Sequence, residues 1–218
     1  MRSIVLNKKV PIENSRENFW PDLFTKDVES NPGFTVYTPQ PQDPTLAVKI
    51  KQQKTEINLS EVGSSHNNGI DNTGLLMWPA EEILSFIVQL LYPRLQHFSR
   101  VLELGSGYNG LAGIMWYKLK QSRPYDGPGT SPDNLLCITD GNDKCVGDLW
   151  YNFTQNATAQ ENQIEIDGHT ESQVYETKGA HGSLMEIRTR QLLFSGSQKF
   201  LDSETAGAKF DFIMMADV

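Results

Sequence analysis

The residues best suited to chemistry lie at the ends of three apolar runs. Glu103 ends the first run, Asp140 the second and Asp217 the last, and the glycine-rich residues 105–107 directly follow Glu103. Glycine permits a tight turn and lets backbone N–H groups come close to a ligand. Because open α/β sheets bind ligands at the carboxyl ends of their strands, this pattern predicts a binding site there.

The glycine-rich residues allow three interpretations. Residues 105–110 fit the fingerprint G-x-G-x-x-G, which on its own supports an NAD-dependent oxidoreductase. The acid two residues before the first glycine instead favours S-adenosylmethionine, whose methyltransferases carry Glu/Asp-x-Gly-x-Gly at this point. The third interpretation is a purely structural strand-to-helix turn.

Asp140 supports a cofactor, since an acid at the end of the second strand accepts hydrogen bonds from ribose hydroxyls in both nucleotide-binding classes. It lies 35 residues after Gly105, whereas the usual separation is about 20. The proline- and glycine-rich residues 121–133 account for the excess.

Hydrophobic periodicity predicts the elements that position these residues. Apolar residues at helical spacing predict an amphipathic helix that begins at Pro79 and ends near Tyr92, before Pro93; its apolar positions are Ile83, Phe86, Ile87, Leu90 and Leu91. Further helices are expected after Asn109 and around residues 146–153. Buried strands are expected at 100–104, 135–139, about 185–194 and 210–217. The alternation of helices and strands predicts an α/β fold.

The remaining sequence predicts two accessory regions. Residues 34–38 and 46–51 alternate apolar and polar side chains, which predicts a β-hairpin with one solvated face. We therefore expect an N-terminal extension over 1–69 and a cofactor-binding domain over 70–218. Residues 155–183 are rich in Asn, Gln, Thr and Gly, which predicts a mobile surface insertion within that domain.

Composition excludes several functional classes. The net charge of −8 argues against a nucleic-acid surface built on bulk basicity. No apolar run approaches the length of a membrane span, and the N-terminus lacks the pattern of a secretory signal. Cys137 and Cys145 are expected to be buried thiols in a reducing compartment, the cytoplasm or the nucleus. The four histidines show no metal-ligand spacing, so no metal is expected, and we expect a monomer.

Five blocks together resemble the class I seven-strand protein-lysine methyltransferases, and within them the enzymes that methylate calmodulin. They are residues 71–74 (Asp-Asn-Thr-Gly), 78–82 (Trp-Pro-Ala-Glu-Glu), 103–113, 139–142 (Thr-Asp-Gly-Asn) and 210–217. The glycine loop is generic to such enzymes, whereas the blocks at 71–82 and 139–142 are more specific.

The resemblance implies a fold, a cofactor and an incomplete domain. The fold is a Rossmann-like three-layer α/β sandwich whose complete strand order is 3-2-1-4-5-7-6. This chain would hold only 3-2-1-4, so the domain is expected to be incomplete at its C-terminus. The cofactor is S-adenosylmethionine, and the residues that would contact it are Trp78, Glu103, Gly105, Ser106, Gly107, Asp140 and Ala216.

The implied reaction is methyl transfer to the ε-amine of a lysine in a protein substrate, here calmodulin. Asp217 occupies the position of an acid near the acceptor lysine, where a carboxylate would orient the ammonium and help it to lose a proton. Family members usually carry a tryptophan near the adenine after the third strand, and this sequence has Phe194 there.

Two further expectations concern partners and activity. Because calmodulin is acidic, a local basic surface at Lys49, Lys51 and Lys54 would offset repulsion from this acidic chain; alternatively, these lysines are only the solvated face of a strand. The alternative to an active enzyme is a non-catalytic fragment that retains cofactor or partner binding. Residues 210–216 would then form an unpaired apolar edge.

Overall fold

The structure, a computed structural model, describes residues 23–28, 30, 32–39, 43–52, 73–75, 77–123, 134–157, 162–164, 172–178, 184–192 and 209–216. These residues form an α/β structure with two sheets and three α-helices. In chain order the elements are β1 (Phe24–Asp27), β2 (Phe34–Pro39), β3 (Val48–Lys51), α1 (Pro79–Leu95), β4 (Arg100–Leu104), α2 (Leu111–Ser122), β5 (Asn134–Asp140), α3 (Asp143–Thr154), β6 (Asn162–Ile164), β7 (Ser172–Lys178), β8 (Leu184–Gln191) and β9 (Phe212–Met215). Short 3-10 turns lie at Pro44–Leu46 and Thr73–Leu75.

The larger sheet has the order β6-β7-β8-β5-β4-β9. Its four strands β8-β5-β4-β9 are parallel, and they follow the order 3-2-1-4 expected from the resemblance. Strands β4 and β5 are almost continuously buried, as is typical of parallel strands covered on both faces. The carboxyl ends of β4 and β5 therefore meet at one edge of the sheet, where the glycine loop begins.

Two antiparallel strands extend this sheet. Both lie within the predicted surface insertion at 155–183, where residues 162–164 form β6 and residues 172–178 form β7. Strand β7 pairs with β8 along its whole length, from Ser172 opposite Arg190 to Lys178 opposite Leu184. Its partner β8 follows soon in the chain, but Val174 and Tyr175 are the only apolar residues of β7 and are adjacent, so no alternation of apolar and polar side chains revealed the strand.

Helix α1 differs from its prediction in length and in orientation. It continues past Pro93 to Leu95. Proline is tolerated in this last turn because it removes a single intrahelical hydrogen bond. The preceding residue, Tyr92, is buried, and its ring packs edge-on against Trp116. The buried face is formed by Glu81, Ser85, Val88 and Tyr92.

The predicted apolar face of α1 is largely exposed in the part of the chain that the structure describes. Leu90 is 65% exposed, and Ile87 and Leu91 are also exposed. Strand β9 lies at the end of the larger sheet and pairs with β4. Its side chains Ile213 and Met215 are exposed as well. The expectation of an apolar edge at β9 is thus met within the described residues.

The smaller sheet has the order β1-β2-β3, with both pairs antiparallel. It confirms the predicted hairpin between β2 and β3 and adds β1 as a third strand. Its buried residues Val48 and Ile50, and Leu46 in the 3-10 turn before β3, belong to the same hydrophobic cluster as residues of α2 and α3. The N-terminal sheet thus packs directly against the elements that follow β4 and β5.

None of the helices in the described ranges has both the length and the apolar character needed to cross a membrane.

Candidate functional site

The glycine loop joins β4 to α2 in a conformation that needs glycine. Gly105, Gly107 and Gly110 have φ values of 64°, 61° and 56°, in the left-handed region that other residues rarely adopt. Between them, the Ser106 backbone N–H and Oγ both donate to the Thr139 carbonyl, each at 3.0 Å. The loop is therefore tied to the end of β5.

Asp140 holds the same loop through its side chain. Its Oδ2 accepts a hydrogen bond from the Gly107 N–H at 2.8 Å, and its Oδ1 accepts from the Asn142 N–H at 2.8 Å. Asn142 is the N-cap of α3, so Asp140 links the glycine loop to the start of that helix. A carboxylate has about four lone-pair positions, and these two bonds leave acceptor capacity for hydroxyl donors of a ligand.

Tyr108 is held at both ends of its backbone by residues outside the loop. Its N–H donates to the Gly74 carbonyl at 2.8 Å, and its carbonyl accepts from Asn152 Nδ2 at 2.8 Å. A Cβ on Gly107 would lie 2.9 Å from the Gly74 carbonyl oxygen, so the 3-10 turn at Thr73–Leu75 packs tightly against the loop. The structure thereby brings Gly74, from the sequence block at 71–74, to the predicted site.

Two buried carboxyl groups meet at the first turn of α2. Glu81 Oε1 accepts from the Ala112 N–H at 2.7 Å, and Glu103 Oε2 accepts from the Gly113 N–H at 2.8 Å. These N–H groups have no partner within their own helix, so both acids cap its N-terminus. A Cβ at Gly113 would overlap Glu103 Oε2, which explains why glycine stands there.

Burial raises the pKa of both carboxyl groups. The pKa of Glu103 lies well above its ordinary value because of burial, the nearby Glu81 charge and a hydrogen bond to Glu81. The pKa of Glu81 is also raised by burial, but the hydrogen bonds from Ala112 and Glu103 oppose the increase. Glu103 Oε1 is buried without a hydrogen-bond partner among the described residues, which favours the neutral form of this carboxyl group.

The predicted cofactor residues thus fall into two groups in the structure. Gly105, Ser106, Gly107, Asp140 and Glu103 converge where β4 and β5 end. Within this group Glu103 is 0% exposed and Ser106 is buried, and their hydrogen bonds build the loop.

The second group flanks this point. Trp78 is 40% exposed and is the N-cap of α1. Ala216 follows Met215, which pairs with Leu104, so Ala216 lies at the level of Gly105 on the neighbouring strand.

Several predicted residues lie outside the described residues. They are Asp217, Phe194, Lys54 and the first two residues of the block at 71–74. Of the basic side chains on β3, Lys51 Nζ pairs with Asp148 at 2.7 Å and lies 5.5 Å from the ring centre of Tyr151. Lys49 is exposed on the same strand.

Sequence reasoning missed three residues that shape the site. Glu81 lies in the first turn of α1, where an acid ordinarily complements the dipole of its own helix, but its buried side chain caps α2 instead. Gly113 had a visible signal, because it lies ten residues after Glu103 at the start of a helical pattern. Asn152 carried no signal that distinguishes it from a surface residue of α3, since its role depends on Tyr108, 44 residues away.

Comparison with known proteins shows a similarity to a methyltransferase. The calmodulin-lysine N-methyltransferase of Arabidopsis thaliana is 33% identical to this chain over 106 residues, which make up 48% of this chain and 30% of the relative. No protein-family model matches the chain. The chain thus spans less than a third of the relative's length, and about half of the chain is similar to a methyltransferase. The four parallel strands β8-β5-β4-β9 and the three helices are compatible with a Rossmann-like methyltransferase fold.

Proposed function

We propose that this chain binds S-adenosylmethionine where β4 and β5 end, and that it is part of an enzyme that methylates a lysine of a protein substrate. The observation that carries this proposal is the hydrogen bond from the Gly107 N–H to Asp140 Oδ2. It unites the glycine loop and the acid after the second strand, the two features that class I methyltransferases use for the cofactor. The similarity to a methyltransferase over about half of the chain supports the choice of cofactor.

The residues present fit this cofactor. Asp140 keeps acceptor capacity for the two ribose hydroxyls, and the glycines leave the loop backbone without side chains that would obstruct a ligand. Trp78 and Ala216 flank the loop from α1 and β9 and would border the cofactor. Glu103 would act on the cofactor through the loop, because its own side chain is buried against Gly113.

When bound, S-adenosylmethionine supplies a methyl group on a sulfonium, which the neutral ε-amine of the substrate lysine displaces. The contribution of the protein is alignment of the amine with the methyl group and exclusion of water. We assign Asp217 the role of orienting the substrate ammonium and assisting loss of its proton. We expect Asp217→Asn to lower turnover far more than cofactor affinity; unchanged turnover would remove Asp217 from the mechanism.

For the substrate we propose calmodulin, which the name of the relative includes. Both proteins would be acidic, so a local positive surface must offset the repulsion. Lys49 is exposed and serves this purpose better than Lys51, which is paired with Asp148. We expect Lys49→Gln to raise the KM for calmodulin and to leave kcat unchanged. A KM that does not respond would assign Lys49 to the solvated face of the strand.

Calorimetric titration with S-adenosylmethionine, with NAD as the comparison ligand, tests the cofactor. We expect saturable binding of S-adenosylmethionine alone, and a loss of at least about tenfold in affinity in Asp140→Asn, because the amide keeps only one acceptor oxygen. Asp148→Asn is the matched control, since Asp148 lies on α3 and pairs with a surface lysine. Binding of NAD in place of S-adenosylmethionine, or equal losses in both variants, would overturn the assignment.

The non-catalytic alternative makes a different prediction. A fragment that retains only cofactor binding would titrate normally with S-adenosylmethionine and would transfer no labelled methyl group to calmodulin. Transfer by this chain, abolished together with binding in Asp140→Asn, would exclude that alternative. Binding without transfer would support it.

A further inference from the structure

Asn152 connects the glycine loop to the N-terminal sheet through the two ends of one amide group. Its Nδ2 donates to the Tyr108 carbonyl at 2.8 Å, and its Oδ1 accepts from the Lys51 backbone N–H at 2.8 Å. The side chain is completely buried. Because a buried polar group needs its hydrogen-bond partners, replacing either the Nδ2 or the Oδ1 of Asn152 leaves a buried donor or acceptor unsatisfied.

A second asparagine, two residues beyond the end of α3, binds the same strand. Asn156 Oδ1 accepts from the Lys49 N–H at 2.8 Å, and its Nδ2 donates to the Lys49 carbonyl at 2.7 Å. The N–H groups of Lys49 and Lys51 on the outer edge of β3 are thus capped by the side chains of Asn156 and Asn152. Only Asn152 continues the connection to the glycine loop.

The connection ends on the peptide groups that flank Tyr108. The Tyr108 N–H donates to the carbonyl of Gly74, which precedes α1. The Tyr108 carbonyl accepts from Asn152, which also contacts β3. This residue lies between Gly107 and Gly110, both in the left-handed region. A loop with several glycines has many accessible conformations, so holding it in one before a ligand arrives lowers the entropy cost of binding.

We propose that the N-terminal sheet helps to hold the glycine loop in its binding conformation, and that Asn152 is the positioning residue through which it acts. The cofactor for which the loop is positioned rests on the proposed function. The mechanical coupling between β3 and the loop does not, so the two can be tested separately.

Amide hydrogen exchange on the chain without cofactor tests the coupling. Asn152→Asp keeps an acceptor for Lys51 but presents a carboxylate oxygen to the Tyr108 carbonyl. We expect the backbone N–H groups of residues 107–108 to exchange at least about tenfold faster, with β5 protection unchanged. Asn156→Ala, just beyond the end of α3, is the control; it should expose the Lys49 N–H to exchange and leave the loop protected. Unchanged exchange at 107–108 in Asn152→Asp would overturn the proposal.

A pair of variants on β3 tests transmission without altering Asn152. Lys51→Pro removes the backbone N–H and the ammonium group, whereas Lys51→Ala removes only the ammonium group and its bond to Asp148. We expect the loop to exchange faster in the proline variant alone. Equal exchange in the two variants would show that β3 does not act on the loop; if the proline variant does not fold, the Asn152→Asp result decides.

Binding measurements separate this inference from the proposed function. We expect Asn152→Asp to weaken S-adenosylmethionine binding by about tenfold and to leave kcat at saturating cofactor within about twofold, as for a residue that acts only on preorganisation. A wild-type chain that binds no S-adenosylmethionine, with loop exchange still dependent on Asn152, would overturn the proposed function and retain the positioning role. Normal binding of S-adenosylmethionine by the wild-type chain, with loop exchange that does not depend on Asn152, would retain the proposed function and overturn the positioning role.

Discussion

Glu81 and Glu103, from α1 and β4, cap adjacent N–H groups of α2, those of Ala112 and Gly113. Both carboxyl groups are buried, and burial raises the pKa of each. This arrangement joins three elements at the base of the glycine loop, and it makes part of the stability of the fold depend on pH.

The raised pKa of Glu103 determines the sign of that dependence. A carboxyl group whose pKa is higher in the folded chain binds more protons when folded, so the free energy of unfolding falls as pH rises above the ordinary carboxyl range toward the folded pKa. Glu103→Gln keeps an acceptor for Gly113 and a donor for Glu81 without a titrating group. In urea unfolding between about pH 5 and about pH 8, we therefore expect the free energy of unfolding of Glu103→Gln to rise relative to that of the wild type as pH increases.

Glu82→Gln provides the control for this comparison, because Glu82 lies next to Glu81 but pairs with the surface Lys26. We expect its effect to be below about 1 kcal/mol and similar at each pH. Glu103→Ala should cost about 2–4 kcal/mol, since it leaves a cavity and an unsatisfied Gly113 N–H. A pH-independent difference between Glu103→Gln and the wild type would contradict the raised pKa of Glu103.

Two glycines in helices should respond oppositely to alanine. At Gly113 a Cβ would overlap Glu103 Oε2 and approach the Ile138 side chain, whereas at Gly147 it would meet nothing within 4 Å. We expect Gly113→Ala to lower the free energy of unfolding by about 1–3 kcal/mol. Gly147→Ala should raise it by about 0.5–1 kcal/mol through helix propensity. Stabilisation by both substitutions in thermal unfolding would show that the Glu103 contact is not close.

Asp211 joins the start of β9 to the start of β4. Its Oδ2 accepts from the Ser99 and Arg100 N–H groups at 3.0 and 2.9 Å, and its own N–H donates to the Arg100 carbonyl at 2.8 Å. We expect Asp211→Ala to cost about 1–2 kcal/mol and to increase amide exchange in β9. Asp211→Asn retains one acceptor oxygen, so its loss should be smaller. Equal losses would indicate that the side-chain acceptor is unimportant.

Gly74 and Cys145 should show coupled effects. A Cβ at position 74 would lie 2.8 Å from Cys145 Sγ and 3.3 Å from Asp140 Oδ1. We expect Gly74→Ala to destabilise the chain by about 1–3 kcal/mol and to weaken cofactor binding, because the Gly74 carbonyl holds Tyr108. Adding Cys145→Ala removes the clashing sulfur.

The double variant should therefore lose less than the two single variants together, with a coupling energy above about 0.5 kcal/mol. Additive losses in a double-mutant cycle would place the strain elsewhere, at Asp140. Cofactor affinity measured on the same four proteins would show whether the position of the Thr73–Leu75 turn matters for binding.

The sequence alone determined the strand ends that carry the candidate site. Apolar runs that end at Glu103 and Asp140 predict buried parallel strands, and the glycines after Glu103 predict the loop, because these patterns depend on residues close together in the chain. Carboxyl ends of adjacent parallel strands meet at one edge, so the approach of Asp140 to the loop followed from the order of the strands. The hairpin of β2 and β3 was likewise visible as local alternation.

Tertiary structure alone decided which side of α1 is buried, that β7 extends the sheet, and that Glu81 and Asn152 support the loop. Periodicity shows that a helix has an apolar face, but the neighbours that pack against it decide which face is covered; here Glu81 and Ser85 are inside while Leu90 is exposed. Glu81 meets Ala112 across 31 residues, and Asn152 meets Tyr108 across 44. Such partners are selected by packing between elements, and no short stretch of sequence contains both members of either pair.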